Sequence, residues 1–201
     1  MRFFCINTLS AADRRSSCEQ EFAKAGIEVQ FVRGLDARLN GVTNTQPYVA
    51  HGRTGCYLSH LRLIDEISRY EHGVSVIFED DIKLADGFRD KLERGIRSLP
   101  AAWDVAYIGW WPHHWHYSAL SVYPVNADWQ VIRKGGVWGT YGYVVNGRKG
   151  ADKLLRILHP IATTVDDQMF AGVIAGRANG FFSREALVHS SGGFDSLTQL
   201  E

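Results

Sequence analysis

The sequence predicts an α/β fold with a mostly parallel sheet in its first half and a more irregular second half. Three observations carry this. Apolar runs of strand length alternate with helical patterns. The first of these alternations, from Arg2 to Phe31, reads as a βαβ unit. No repeat, low-complexity segment or linker interrupts the pattern, so the 201 residues are assigned to one domain.

The elements follow in order. "RFFCINTL" is a continuous apolar run, as expected of a strand buried on both faces. Ser10 is placed to cap a helix with Asp13 as its box partner, and Gly26 to end it. Cys18, Phe22 and Ala25 recur between them at helical spacing. "IEVQF" alternates Ile27, Val29 and Phe31 with Glu28 and Gln30, the pattern of a half-buried strand. Arg38 to Arg53 shows no period and reads as a loop.

Thr54 is placed to cap the next helix, which puts Tyr57, His60, Leu61, Ile64 and Ile67 on one face before Gly73. "VSVIF" is the third strand. Asp86 is expected to cap a helix with Phe88, Leu92 and Ile96 inward. "WDVAYIGWW" reads as a strand entering an aromatic loop, and "GTYGYVVN" as a further strand. Asn146 is expected to cap the helix carrying Ala151, Leu154, Leu155 and Leu158. Asp166 begins a short helix, and "ALVHSSGGF" closes the pattern as a strand and turn.

Composition excludes several classes. With 22 basic and 22 acidic residues, no net field recruits nucleic acid or anionic lipid. Three isolated cysteines, Cys5, Cys18 and Cys56, suggest neither a disulfide framework nor a thiolate zinc site. Cys5 and Cys56 read as core fillers, and a reducing compartment suits them. The start lacks a signal-peptide apolar stretch, and no run reaches the roughly 20 residues of a bilayer span, so a cytoplasmic protein is expected.

The chemistry concentrates in "VIFEDDIKL", where Glu79, Asp80 and Asp81 follow an apolar strand. Active sites of open α/β sheets lie at carboxyl ends of strands. Side chains alternate along a strand, so Glu79 and Asp81 are expected on one side and Asp80 on the other. Convergent carboxylates raise each other's pKa unless a cation neutralises them, and hard oxygen donors suit Mg²⁺ or Mn²⁺ beside a diphosphate. The same acids also suit turn and capping roles, and the residues by themselves leave both readings open.

Other candidates are weighed the same way. Asp166 and Asp167 in "TTVDDQMF" are candidate bases, although Asp166 also suits helix capping. His189 is either a further metal ligand or a solvent-facing strand-end histidine. His60 lies on the apolar face of its helix, where a hydrogen-bonded role orienting the nearby loop is expected. "GWWPHHWHYSAL" lacks the Cys or acid that would make its histidines a zinc cluster. Its Trp110, Trp111, His114 and Trp115 instead offer aromatic faces of the kind that stack on sugar rings, or else fold under as a core patch. Lys134, Gly135 and Gly136 form either a diphosphate contact or a turn.

Five segments occur together in order: "INTLSAADRR", "GRTGCYLSHLRLIDEI", "VIFEDDIKL", "WDVAYIG" and "YGYVVNGRKGADKLL". The set resembles glycosyltransferase family 25, the lipopolysaccharide and collagen galactosyltransferase-like enzymes, from about Ile6 to His189. That resemblance implies a GT-A-like nucleotide-diphospho-sugar transferase fold, with a mixed, mostly parallel sheet flanked by helices. It also implies a nucleotide-binding half at about 1–110 and an acceptor-binding half at about 111–201.

The implied reaction is inverting transfer of a hexose, galactose or glucose, from a UDP-sugar donor to a glycan acceptor such as lipopolysaccharide core. Mn²⁺ or Mg²⁺ would assist, with peripheral contact at the inner membrane through a lipid-linked acceptor. Carried over by residue, Asp81 is the main metal ligand, with Glu79 toward metal or ribose and Asp80, in the nucleotide-sugar-binding segment, toward fold and loop. Asn7, Arg14, Gly55, Ser59 and His60 match the nucleotide-sugar-binding segments. Asp166 or Asp167 is the base, and His189 a late metal ligand.

Thr8 departs from the family's usual Leu. Arg53 and Thr54 stand where Glu and an apolar residue are frequent, which places a cation near the donor site. Two other functions remain in view: a non-catalytic carbohydrate-binding protein on the same fold, and a metal-dependent phosphohydrolase using the same acids. The pattern disfavours a phosphorelay receiver, whose acidic pair should follow the first strand, where "CINTL" has none.

Overall fold

The computed structural model describes residues 1–36, 51–70, 73–112 and 120–192. Strand β1 (Arg2–Asn7) is buried from Phe4 onward, as its apolar run predicts. Helix α1 (Ala12–Lys24) follows and stops at Ala25, with Gly26 in the left-handed region at φ 63°. The N-cap is Ala11 rather than Ser10, and no side chain caps it. Ala11 N–H closes a turn on Thr8 O instead.

Strand β2 (Gln30–Arg33) starts later than the alternation of Ile27, Val29 and Phe31 predicts. Two contacts set the shift. Ile27 N–H bonds Phe22 O, which keeps Ile27 in the helix-terminating turn. The pairing of β1 with β2 then runs from Phe4↔Gln30 to Asn7↔Arg33.

Helix α2 (His51–Tyr70) begins before Thr54, which is buried within its first turn rather than capping it. The expected loop from Arg38 therefore ends by His51, and its residues through Ala50 lie outside the described residues. Strand β3 (Val74–Phe78) and the short β4 (Ile82–Leu84) flank the acidic triplet. Helix α3 (Phe88–Ser98) is entered through Gly87, at φ 66°, so Asp86 is not its cap.

Strand β5 (Val105–Pro112) leads into residues outside the description, which include His114 and Trp115. The second half adds strands that sequence patterning did not resolve: β6 (Ser121–Pro124), β7 (Trp129–Lys134) and, later, β9 (Gly180–Ser183). Gly135 and Gly136 form the turn from β7 into β8 (Val137–Asn146). Helix α4 (Gly147–Leu158) has Asn146 at its N-cap, although the Asn146 amide bonds Trp103 O and caps nothing. Helix α5 (Val165–Ile174) is capped at Thr164, which puts Asp166 and Asp167 inside its first turn. Strand β10 (Val188–Ser190) ends the described chain.

The main sheet has eight strands in the order β2-β1-β3-β8-β5-β9-β7-β6. Parallel pairs join β1 to β2 and β3, and β5 to β9. β8 opposes both β3 and β5, β7 opposes β9, and β6 opposes β7. Six strands thus share one direction and β7 and β8 oppose it, the mixed, mostly parallel α/β sheet that was expected.

Successive side chains on the central strands enter opposite cores. Phe4, Ile77, Val105, Tyr107 and Tyr143 pack with residues of α2, α4 and α5. Cys5, Val76, Phe78, Ala106 and Val144 pack with residues of α1 and α3. Burial on both faces explains why these strands read as continuous apolar runs.

A second sheet pairs β4 with β10 and aligns His189 with Lys83. β10 lies on the main sheet where Gly109 faces Gly142 across the β5–β8 pair. A Cβ on Gly142 would stand 2.8 Å from Val188 Cβ, and one on Gly109 would stand 2.8 Å from Val188 O. Glycine at both positions therefore admits the strand that carries His189.

Candidate active site

The acidic triplet begins where β3 ends, and the strand alternation expected for it stops there too. The carboxylates of Asp80 and Asp81 both reach one guanidinium. Arg14 Nε stands 3.0 Å from Asp80 Oδ1, and Arg14 Nη2 pairs with Asp81 Oδ2. Asn7 Nδ2 donates to Asp80 Oδ2 at 2.7 Å and to Ala11 O at 3.1 Å. Cys18 Sγ–H donates to the Asp80 carbonyl at 3.1 Å. Asn7 and Arg14 thus hold the triplet from below, through β1 and α1.

Glu79 points elsewhere. Its Oε1 accepts a bond from Thr140 Oγ1 at 2.5 Å and stands 3.3 Å from His60 Nε2. His60 Nδ1 lies 2.9 Å from the Tyr143 hydroxyl, so β8 orients both the imidazole and the carboxylate. His60 is fully buried. Ser59, one residue earlier, donates to Gly55 O at 2.6 Å and accepts from Leu35 N–H at 2.8 Å. Those two residues fasten the end of β2 to α2.

Charge balance separates the three acids. Burial raises the pKa of Asp81 to about 6, helped by the charge of Glu79 and opposed by Arg14. Burial likewise raises Asp80, against Arg14 and Asn7. Burial opposes ionisation of Glu79 as well, but hydrogen bonds from His60 and Thr140 hold its pKa below the ordinary carboxylate range. Asp80 and Asp81 share one guanidinium while Glu79 turns to His60 and Thr140, so acids outnumber the cation that reaches them.

A cavity of about 780 Å³ opens beside this network, within the range of ligand sites. Glu79, Thr140, Asp166, Asp167, His189 and Trp111 line it, as does Arg53. Asp81 is not part of that lining. Asp166 Oδ2 accepts from Gly139 N–H at 3.4 Å and its Oδ1 from Asp167 N–H at 3.0 Å. Asp167 Oδ2 accepts from Thr164 Oγ1 at 2.8 Å. The adjacent residues Gly139 and Thr140 therefore link Asp166 on one side to Glu79 on the other.

The two tryptophans of β5 divide. Trp110 donates its indole N–H to Ser183 O at 3.0 Å and meets Phe182 edge-on at 5.7 Å, inside the fold. Trp111 is 52% exposed and lines the cavity opposite Trp138, its β8 partner.

Several participants were not read from the sequence. Thr140 and Tyr143 looked like ordinary strand residues, because only the β3–β8 pairing sets them against Glu79 and His60. Cys56, expected to fill the core, is partly exposed and lines the cavity. Its spacing of four residues from His60 on one helix was the available clue.

In donor chemistry the acids fit a hard divalent cation: oxygen ligands with uncompensated negative charge. Glu79 and His189 share the cavity. Asp81, paired with Arg14, stands outside that lining.

An acid-lined cavity at the carboxyl ends of β3 and β5, beside the start of β8, defines an α/β protein with a candidate ligand site at the ends of its central strands. Comparison with known families makes this particular. The model described as "Glycosyltransferase family 25 (LPS biosynthesis protein)" matches residues 1–169, and the chain belongs to that family. "Procollagen galactosyltransferase 1" of Danio rerio is 26% identical over 172 residues, covering 76% of this chain and 28% of the relative. "Inactive glycosyltransferase 25 family member 3" of Mus musculus is 36% identical over 125 residues, covering 53% of this chain and 21% of the relative. The chain thus spans roughly a quarter of these relatives' length. A solved structure, "Structure of the inositol-1-phosphate CTP transferase from T. maritima", aligns at TM-score 0.45 and 14% identity. It covers 100% of this chain and 72% of that one. No helix among the described residues is long and apolar enough to cross a membrane.

Proposed function

We propose that this glycosyltransferase family 25 member transfers a hexose, galactose or glucose, from a UDP-sugar to a hydroxyl of a glycan acceptor. Lipopolysaccharide core or another surface polysaccharide is the acceptor class, met at the cytoplasmic membrane face. The observation that carries the reading is one cavity that gathers Glu79, a second acidic pair and an exposed tryptophan. Donor recognition, proton removal and sugar stacking each need one of these.

In this reading Asp81, Glu79 and His189 would hold Mn²⁺ or Mg²⁺. When bound, the cation offsets charge on the departing diphosphate. Thr140 and His60 keep Glu79 ionised and fixed. Asp166, held by backbone N–H groups on the cavity wall, accepts the proton of the acceptor hydroxyl as its oxygen attacks the anomeric carbon. The bond to UDP breaks on the opposite face, inverting that carbon. Asp167 is the alternative base. Trp111 offers its ring to the acceptor sugar, and Arg53 supplies a cation beside the donor phosphates.

The experiment is thermal shift with UDP, with and without Mn²⁺, followed by turnover. Stabilisation should need both components and disappear in Asp81→Ala. Asp166→Asn should lower kcat by about 10²–10⁴-fold, the usual contribution of a general base. Near-normal rates in both Asp166→Asn and Asp167→Asn exclude the pair.

The inactive name of the mouse relative favours one second reading, a carbohydrate-binding protein without turnover. It predicts glycan binding that survives Asp166→Asn and no consumption of any UDP-sugar.

A further inference from the structure

Cys56 and His60 stand one turn apart on α2 and therefore share a helix face. Glu79, arriving from the end of β3, meets them there. One ligand atom from each, Cys56 Sγ, a His60 ring nitrogen and a Glu79 carboxylate oxygen, lies within 4.8 Å of the other two. Cys56 and Glu79 line the cavity, while fully buried His60 closes its back.

The spacing suits a tetrahedral ion. Ligands about 2.1 Å from a tetrahedral centre are about 3.4 Å apart. His60 Nε2 and Glu79 Oε1 are separated by 3.3 Å. Bound between them, a cation would take over the hydrogen bond that joins them. The other ring nitrogen already meets the Tyr143 hydroxyl at 2.9 Å, which fixes the ring plane as outer partners of metal-bound histidines do. A thiolate and a carboxylate would cancel the charge of a divalent ion, leaving a neutral unit in a poorly hydrated wall. Three protein ligands leave a fourth position for water or substrate, the arrangement of an open zinc site.

We infer that Cys56, His60 and Glu79 form a binding site for a thiophilic divalent cation of the Zn²⁺ class. Sulfur and imidazole donors select such ions over Mg²⁺ and Mn²⁺. The site differs in donor set from the hard-cation site proposed at Asp81, with which it shares only Glu79. It does not rest on the transferase reading. A cation here withdraws Glu79 from that other site, so Zn²⁺ acts as an antagonist of Mn²⁺.

Co²⁺ titration of the whole protein tests this, since cobalt bound to thiolate shows a near-ultraviolet charge-transfer band. The wild type should develop the band at one equivalent, and Zn²⁺ should abolish it. Cys56→Ser should remove the band although Cys5 and Cys18 remain. It should also weaken Zn²⁺ binding by more than the about 10–100-fold typical of losing an outer-shell partner. Glu79→Gln, which keeps the shape of the side chain, should weaken Zn²⁺ without removing the thiolate. Asp81→Ala should keep the band while losing Mn²⁺-dependent UDP binding, which separates this site from the transferase proposal. A wild type without the band, or Zn²⁺ affinity unchanged in Cys56→Ser, overturns the inference.

Discussion

Asp81 is an acid held in surroundings that favour its neutral form. Its pKa rises from 3.8 to about 6 because burial and the charge of Glu79 outweigh Arg14. The folded state therefore holds this proton more tightly than the unfolded chain does. Its stabilising share is complete below about pH 4 and is lost as pH rises to about 6. Urea unfolding of the metal-free protein should show stability from this group declining across that window. Asp81→Asn should flatten the decline and be more stable than wild type at pH 7. Coincident pH slopes for the two proteins would contradict the assignment. The contrast with Glu79 is instructive, because adjacent carboxylates are driven in opposite directions. His60 and Thr140 hold Glu79 by hydrogen bonds, whereas for Asp81 the guanidinium it shares with Asp80 does not offset burial.

Among elements, β10 depends on what its neighbours omit. It crosses the sheet where Gly109 and Gly142 leave no side chain, and there it presents His189 to the cavity. Gly142→Ala should destabilise by about 1–3 kcal/mol through overpacking against Val188. Adding Val188→Ala should recover part of that loss, because it removes the methyls being struck. Chemical denaturation of the two variants measures both steps. Additive costs would show that the loss in Gly142→Ala does not arise at Val188. Helix α5 shows a second element-level dependence. Thr164 rather than Asp166 occupies its N-cap position, which leaves both acids in the first turn, lining the cavity and near the positive end of the helix dipole.

For the whole molecule, strand order decides which segments are indispensable. The family match ends at residue 169, yet β9, residues 180–183, sits between β5 and β7 in the sheet. Without β9 the edge of β5 opens, and β7 and β6 lose their attachment to the sheet. A chain cut after Met169 should lack a cooperative thermal transition, whereas one cut after Gly192 should keep it. Circular dichroism melts compare them directly. A sharp transition in the shorter chain would mean that β7 and β6 are dispensable to the core.

Much of this was legible in the sequence, and the legible part has one physical origin. Local patterns recorded local causes: two-faced burial made β1, β3 and β5 read as apolar runs, and helical spacing marked α2 and α4. The acidic triplet stood out because three adjacent carboxylates after such a run exceed what one turn or cap needs, although the residues by themselves left the turn and metal readings open. Caps at Ser10, Thr54 and Asp86 misled, since each is a polar side chain with several possible partners. The short strands β6, β7 and β9 carried too little periodicity to separate from loops.

Sequence alone determined the α/β class, the family resemblance and the acids that crowd the end of β3. Tertiary structure decided how those acids divide: Asp80 and Asp81 to Arg14, Glu79 to His60 and Thr140. It also decided that Trp110 turns inward while Trp111 faces the cavity. The reason is distance along the chain. Glu79 finds Thr140 61 residues away, and contacts at that separation are set by strand order and register, which no local pattern encodes.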